Sequence, residues 1–569
     1  MINRLFEAII IFFSIMMLFG VYLGYSDLIM FETAIISLIV SFAITGFIIR
    51  CRKNKTRGQD VLTKLKDKKT ILAILIFVLF IGMYLLILAP NFVFPLTCSD
   101  VANHSLYTRL IGKNGSFFEA DGSMVFSGIP LVYSHVYPFG FYGVSSSLYL
   151  VVGNSYLVNS MLGFLLILFT GIGVYALSKH FFGKNAALFS SFVWLFAITS
   201  LTILESGFLT QIFATLFFTG AVYAYVKRDK LLLFLAAIGL VTYPPIFVAF
   251  FIFVIVELLI SAKLSFKRLV NDLKEKKYLI GIIILACIAM FPEFLGMAIK
   301  YLNSEHYLTT ALLIRGGVYT PNFFGFVAFI PAVVGLFLLI KKRSKEQLEC
   351  FSFLLAPLLM SGAVVGYYAL NLLISFSTRT EIHSLYQAVK FFYLALIPAS
   401  MFAGLGFAHL MKKYSKKKII VGVLICVLTF HFIYFAGYLS LYSEKQIEPD
   451  GFYSAVEFAN NIDGEFVLGI DDCFFKNESV VFVPAYASLF DNPFTPQEFN
   501  CQKIDFIRGF TFTWAQRDDS KNELGIVDST GKPVLIKGSV GADYLMTDCS
   551  VLDKSIVFEE GNVRIYDLR

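Results

Sequence analysis

The sequence predicts a polytopic α-helical membrane protein of about thirteen membrane helices, followed by a small C-terminal α/β domain outside the membrane. Of its 569 residues, 57% are hydrophobic and only 15% are charged, whereas a soluble domain averages about 25% charged residues. Apolar runs long enough to cross a bilayer recur as far as residue 440. Basic residues cluster between these runs, and the tail is acidic: 36 of the 47 Lys and Arg precede residue 441, after which 22 acidic residues face 11 basic ones.

Eleven apolar runs are each predicted to form one membrane helix. They lie at 5–25, 28–49, 71–89, 156–178, 185–204, 208–226, 278–297, 322–340, 348–374, 388–410 and 418–440. One further run, 231–261, is too long for a single helix and is interrupted by Thr242-Tyr243-Pro244-Pro245. Two adjacent prolines break a helix interior. Both ends of this run are basic, and basic loops stay in the cytoplasm, so we expect it to cross twice and to turn at the outer face.

This assignment predicts a plasma-membrane protein with a cytoplasmic N terminus and an extracytoplasmic tail. The first run is expected to stay in the membrane as a signal anchor. Three regions follow: 1–70 with two additional helices and a basic cytoplasmic loop, 71–442 with the helical core and a first large outer loop at 90–142, and 443–569 as the soluble domain. Basic loops beside apolar runs, and an acidic tail, argue against nucleic acid as a partner.

The tail is predicted to combine one helix with several strands. The helix covers Gly451–Asn461, and strands cover Glu465–Ile470 and Gly541–Met546. A closing hairpin over Ser555–Asp567 turns at Glu560-Gly561-Asn562. Cys473 and Cys501 are the candidate disulfide pair in this oxidising compartment.

The first outer loop holds the strongest candidate for a catalytic site. Ser99 is suited to cap a helix, and in that helix Asp100 and His104 would lie one turn apart, on a face shared with Tyr107. A carboxylate there can act as a general base toward a hydroxyl acceptor, or bind a divalent cation such as Mg²⁺ or Mn²⁺. An acid near a helix start is also favoured by the helix dipole alone, so a purely structural role stays open.

The loop closes with Tyr137-Pro138-Phe139-Gly140-Phe141 as it enters the next helix. An Asp shortly after a span, a helical stretch with His and Arg, and this closing segment together resemble the GT-C superfamily of membrane glycosyltransferases, which use polyprenyl-phosphate-linked sugars. The likeness is greatest to archaeal and other prokaryotic members with a C-terminal extracytoplasmic α/β domain, and it extends to Gly541–Leu545 and Val557–Tyr566.

The resemblance implies that Asp100 is the catalytic or metal-coordinating carboxylate, with His104 and Arg109 near the same pocket. The chain departs from the family pattern at three points. Two extra helices precede the core. A single Asp stands where many relatives have an adjacent acidic pair, and Glu119 and Asp121 are candidates to substitute for the second acid. The Trp-Trp-Asp signature of oligosaccharyltransferase catalytic subunits is absent.

A polyprenyl-phosphate leaving group needs cationic side chains on the outer side. Such residues are scarce before the tail, which makes Arg109, Arg315, Arg379 and Lys390 the candidates for binding the phosphate. Arg379 and Lys390 precede a span directly, where snorkelling toward lipid headgroups is the alternative role.

The predicted function is therefore transfer of a sugar from a polyprenyl-phosphate donor to a lipid-linked glycan or protein acceptor at the outer face. Two alternatives remain: a transporter or flippase for lipid-linked or polar solutes, and a non-catalytic envelope assembly protein. A transporter is disfavoured because the sequence shows no internal repeat and places few charges inside its spans.

Overall fold

The structure, a computed structural model, describes the helical region in separate ranges and the tail in short segments. In the helical region these are 2–54, 68–88, 100–117, 125–126, 129–130, 139–196, 209–262, 266–293, 326–342, 349–363 and 386–413. In the tail they are 454–455, 458, 462, 466–468, 504–505, 511–512, 526–527, 533–534, 544–547, 550–551, 554–561, 563–567 and 569.

Most of the described residues before the tail are helical. The helices are α1 (Ile2–Tyr25), α2 (Phe31–Asn54), α3 (Lys68–Leu88), α4 (Asp100–Asn114), α5 (Gly140–Val152), α6 (Ser155–Phe182), α7 (Lys184–Phe196), α8 (Leu209–Lys227), α9 (Lys230–Val241), α10 (Pro244–Ala262), α11 (Phe266–Glu275), α12 (Tyr278–Ala289), α13 (Phe326–Lys342), α14 (Glu349–Ala363) and α15 (Tyr386–Lys413).

Among the described residues, six helices are long and apolar enough to cross a membrane, namely α1, α2, α6, α8, α10 and α15. Six shorter apolar helices accompany them: α3, α5, α9, α12, α13 and α14. The prediction of a polytopic α-helical membrane protein is confirmed. The count of thirteen spans and the orientation in the membrane stay predictions, and the run at 418–440 lies outside the described residues.

Helix α1 lies inside the bundle. Phe6, Ile10 and Met17 are fully or almost fully buried, and the helix packs against α2, α5, α6 and α9. It crosses α5 at Gly20 and Gly143, where a Cβ built on either glycine would come within 3 Å of the other residue's backbone. Small residues allow this close approach between membrane helices. α1 was assigned to the N-terminal region 1–70, but it is buried in the same way as a helix of the predicted core. The boundary between regions 1–70 and 71–442 stays a prediction.

The predicted turn at the two prolines is observed. α9 ends at Val241, and Pro244 opens α10, a position where the missing N–H of proline costs nothing. The Tyr225 hydroxyl at the end of α8 donates to Glu257 Oε2 near the end of α10 at 2.7 Å. Tyr225 lies just before the start of α9, and Glu257 lies near the end of α10. Their contact therefore brings both ends of the run 231–261 to the same end of the bundle, as a hairpin requires.

Ion pairs hold this same end of the bundle together. Arg52 from α2 contacts both carboxylate oxygens of Asp229 at 2.9 Å, and Asp229 also caps α9 by accepting from the Leu232 N–H at 3.1 Å. Glu257 pairs with Lys276. The chain segments around Arg52, Asp229 and Lys276 therefore meet at one end of the structure.

Helix α5 differs from the prediction, which placed residues up to Tyr142 in the outer loop and began the next membrane span at residue 156. Residues 140–147 are all buried, and the helix ends at Gly153, which adopts a left-handed conformation with φ 82°. Its 13 residues span only about 20 Å, too short for a bilayer. The apolar run is also interrupted by Ser145, Ser146 and Ser147, which explains why no span was predicted.

The tail contains short strands within its described segments. They follow two short strands of the outer loop, β1 (Val125–Phe126) and β2 (Ile129–Pro130), and are β3 (Phe466–Leu468), β4 (Ile504–Asp505), β5 (Thr511–Phe512), β6 (Ile526–Val527), β7 (Pro533–Val534), β8 (Tyr544–Thr547), β9 (Ser550–Val551), β10 (Ser555–Glu560) and β11 (Val563–Asp567).

The predicted strands of the tail join one sheet in the order β10-β11-β8-β3, with β3 parallel to β8 and the other pairs antiparallel. The closing hairpin turns at Gly561, with φ 58°, as expected. Phe458 of the predicted helix packs against Phe558 with ring centroids 4.9 Å apart. Cys473 and Cys501 lie outside the described residues, so their pairing stays a prediction.

Candidate functional site

The helix that carries the candidate acid starts at Asp100, as predicted. It packs against α5 and α6 and is followed by Gly115, whose φ of 74° ends the helix. Two backbone hydrogen bonds then tie the chain to the end of α1: the Ile29 N–H donates to Gly115 O at 3.0 Å, and the Phe117 N–H donates to Gly24 O at 3.1 Å. The end of α4 is therefore fixed to the first helix hairpin.

His104 lies one helical turn after Asp100 and is buried, with 2% of its surface exposed. Its Nδ1 lies 2.7 Å from the hydroxyl of Tyr142, at the start of α5. The imidazole also packs edge-on against Phe141 at 5.7 Å. Tyr107 is buried on the same face, with its ring 5.5 Å from that of Tyr142. His104 and Tyr107 lie on one face of α4, as predicted, and that face lies in the protein interior.

A ladder of buried polar side chains joins α4 to α5 and α6. The hydroxyls of Thr108 and Ser145 lie 2.8 Å apart, and the Ser146 hydroxyl donates to Thr108 O at 2.9 Å. Asn159 of α6 donates through Nδ2 to Thr108 Oγ1 at 3.1 Å and to Ser155 O at 2.8 Å. Because buried polar groups are normally paired with a hydrogen-bond partner, this ladder fixes how α4 packs against α5 and α6. It also fixes the position of α4 along its own axis.

An aromatic stack covers the entry into α5. The rings of Phe117 and Phe139 are parallel, with centroids 4.5 Å apart and 9° between their planes. Tyr25 at the end of α1 meets both rings edge-on, at 5.2 and 6.0 Å. The segment that closes the outer loop is thus docked on the end of α1 and on the residues that follow α4.

Glu293 is a buried carboxylate at this end of the bundle. It follows α12, has 0% of its surface exposed, and its Oε1 accepts a hydrogen bond from the Phe139 N–H at 2.5 Å. Nothing in the sequence pattern marks this contact, because an acid after a proline at the end of a span gives no sign of a partner 154 residues away along the chain.

The other predicted site residues fall into three groups. Arg109 lies on α4 and is 5% exposed, so any phosphate that it binds must reach into the bundle. For Asp100 and Lys390 the structure describes the backbone alone: Asp100 begins α4, and Lys390 lies in the first turns of α15. Four further residues lie outside the described residues, namely Arg315, Arg379, Glu119 and Asp121. Within the part of the chain that the structure describes, no group of three His, Cys, Asp or Glu side chains is placed to hold a metal ion.

Comparison with known proteins gives distant similarities only. No family model and no curated protein sequence matches the chain. Among solved structures, it is similar to the archaeal oligosaccharyltransferase AglB from Archaeoglobus fulgidus in complex with an inhibitory peptide and a dolichol-phosphate, at 11% identity, with a TM-score of 0.44, over 76% of this chain and 64% of that chain. It is also similar to ArnT from Cupriavidus metallidurans in the apo state, at 13% identity, with a TM-score of 0.41, over 61% of each chain.

A further structure of the Archaeoglobus fulgidus oligosaccharyltransferase, in complex with Zn and sulfate, is similar at 12% identity, with a TM-score of 0.38, over 75% of this chain and 62% of that chain. This chain spans less than two thirds of the length of each matched protein. At these identities and TM-scores, the activity of this chain rests on its own residues.

Proposed function

We propose that this chain is a GT-C-like membrane glycosyltransferase that moves a sugar from a polyprenyl-phosphate donor to an acceptor at the outer face of the membrane. The observation that carries the proposal is the fixed placement of the Asp100 helix. Its His104 face contacts α5, its polar ladder contacts α5 and α6, and its C-terminal end contacts the end of α1. We propose that the carboxylate of Asp100, the residue that begins this helix, acts where the donor lipid and a polar acceptor can meet.

In the proposed step, the Asp100 carboxylate takes the proton from an acceptor hydroxyl. The acceptor oxygen then bonds to the anomeric carbon of the sugar, and the bond from that carbon to the phosphate oxygen breaks. The polyprenyl phosphate leaves with the bonding electron pair. Arg315, Arg379 and Lys390, with Arg109, are proposed to stabilise its charge, and a site at the bilayer surface strengthens these interactions.

His104 has a supporting role in this proposal. Its Nδ1 is bound to the Tyr142 hydroxyl, which fixes the orientation of the ring. A divalent cation such as Mg²⁺ or Mn²⁺ remains a prediction from the sequence.

The test compares Asp100→Asn with Asp27→Asn in membranes supplied with a labelled polyprenyl-phosphate sugar. Asp27 is an exposed acid that follows α1, so its variant is a matched control. We expect Asp100→Asn to lower sugar transfer by about 100-fold or more and Asp27→Asn to leave it unchanged. Undiminished transfer by folded Asp100→Asn would contradict the assignment.

The same membranes distinguish the alternatives. Uptake or flipping of the labelled lipid without sugar transfer would favour a transporter or flippase. Neither transfer nor movement of the lipid, by protein that is folded and inserted, would favour an envelope assembly protein.

A further inference from the structure

The start of α5 is where the candidate site meets the rest of the bundle. Tyr142, which binds His104, lies in the first turn of this helix. Phe139 is the N-cap residue of the helix, and its side chain makes no capping hydrogen bond. The Phe139 N–H donates to Glu293 Oε1, after α12, at 2.5 Å.

A carboxylate is well suited to this position. The first N–H groups of a helix have no partner within the helix, and their dipoles favour a negative charge. A hydrogen bond from an N–H to an ionised carboxylate is stronger than one to a neutral oxygen. Glu293 is fully buried, so water does not compete for this bond.

The aromatic stack of Phe117, Phe139 and Tyr25 holds the same segment, but in a different way. Stacked rings fix the distance between two surfaces and resist sliding only weakly, whereas a hydrogen bond fixes one atom along the helix axis. Glu293 therefore fixes the start of α5 along its own axis, and with it the height of the Tyr142 hydroxyl beside His104, while Ser145 and Ser146 bind Thr108 further along the helix.

We propose that Glu293 is a positioning residue for the candidate glycosyl-transfer site, and this role rests on the function proposed above. It acts through a series of contacts: Glu293 holds the Phe139 N–H, α5 carries Tyr142, and Tyr142 binds His104 one turn from Asp100. Glu293 does not need to touch either substrate. Its loss is expected to loosen the start of α5 and, through His104, the start of α4.

Hydrogen exchange measured by mass spectrometry on the full chain in detergent tests this directly. In Glu293→Ala, we expect the amides of the first turns of α4 and α5 to exchange about 10-fold faster or more. Glu293→Gln keeps an acceptor oxygen and should restore most of the protection. Glu257→Ala is the matched control, because Glu257 is equally buried but binds Tyr225 and Lys276 at the opposite end of the bundle. It should leave both turns unchanged.

Sugar transfer supplies the second measurement. For Glu293→Ala, we expect a lower kcat with KM within about two-fold of wild type, because ground-state binding is retained. Tyr142→Phe and Glu293→Ala should combine non-additively in kcat, since they interrupt the same series of contacts. If Glu293→Ala does not fold, Glu293→Asp, with a side chain one methylene shorter, should give the same acceleration of exchange in α4.

Unchanged exchange at the start of α4, in a variant that exchanges faster at the start of α5, would overturn the proposal. So would an additive double variant. Absence of sugar transfer by wild-type protein would contradict the proposed function alone, because the exchange experiment would still show whether Glu293 positions α4.

Discussion

The crossing of α1 and α5 at Gly20 and Gly143 leads to a sharp prediction for Gly143→Ala. A Cβ at residue 143 would lie 2.7 Å from the carbonyl carbon of Gly20 and 2.9 Å from its Cα. Ordinary contacts of a Cβ begin at 3.4 Å, so the helices must separate by about 0.7 Å at their closest point, because backbone atoms cannot rotate away. Overpacking of this kind costs about 1–3 kcal/mol.

Gly46→Ala in α2 is a matched control, because the same substitution is expected to raise stability there instead of lowering it. No atom lies within 4 Å of a Cβ built there, so alanine meets no obstacle and gains about 0.5–1 kcal/mol from its higher helix propensity. Both variants can be followed as the fraction of monodisperse detergent-solubilised protein that survives a heating series. Gly143→Ala should lose monodispersity below the wild-type temperature, and Gly46→Ala at or above it. A Gly143→Ala protein as stable as wild type would refute the close crossing.

Three further predictions use the same heating series. Lys276→Met should destabilise the protein by about 3–5 kcal/mol, because it leaves the Glu257 carboxylate, which is 1% exposed, without its cation. Glu257→Gln should destabilise the protein less, because Lys276 is 20% exposed and its ammonium group reaches water. Equal losses would contradict this asymmetry. Asp229→Ala should cost about 0.5–2 kcal/mol more than Asp229→Asn, since asparagine still caps α9; a reversed order would show that the cap is unimportant. Tyr142→Phe should cost about 1–3 kcal/mol by removing a buried partner of His104, whereas an unchanged midpoint would show that this hydrogen bond does not hold α4.

The sequence contained enough information for the hairpin between α9 and α10. Pro244 and Pro245 break any helix that reaches them, and the basic residues at both ends of the run required an even number of crossings. The contact between Tyr225 and Glu257 agrees with that argument. The closing hairpin of the tail was equally predictable, since a Gly-Asn pair between two alternating segments signals a turn.

The candidate site was only partly predictable. A 3.6-residue period is enough to place His104 and Tyr107 on one face of α4, and the structure confirms that face. The period does not say which surface the face meets, so the contacts with Tyr142 and Asn159 could not be foreseen. Glu293 illustrates the same limit: its partner is a backbone N–H, which any residue except proline supplies, so no sequence pattern marks it.

The burial of α1 has a consequence for how the chain is made. The Ser14 hydroxyl lies 2.7 Å from Leu235 O, a contact between residues 221 positions apart. At about 5–20 residues per second, ribosomes need roughly 10–45 s between these two residues. During that interval the first helix has entered the membrane without the partners that cover it in the finished bundle. The nascent chain must therefore be sheltered by the insertion machinery or by lipid, and substitutions on this face of α1 should impair biogenesis before they affect the assembled protein.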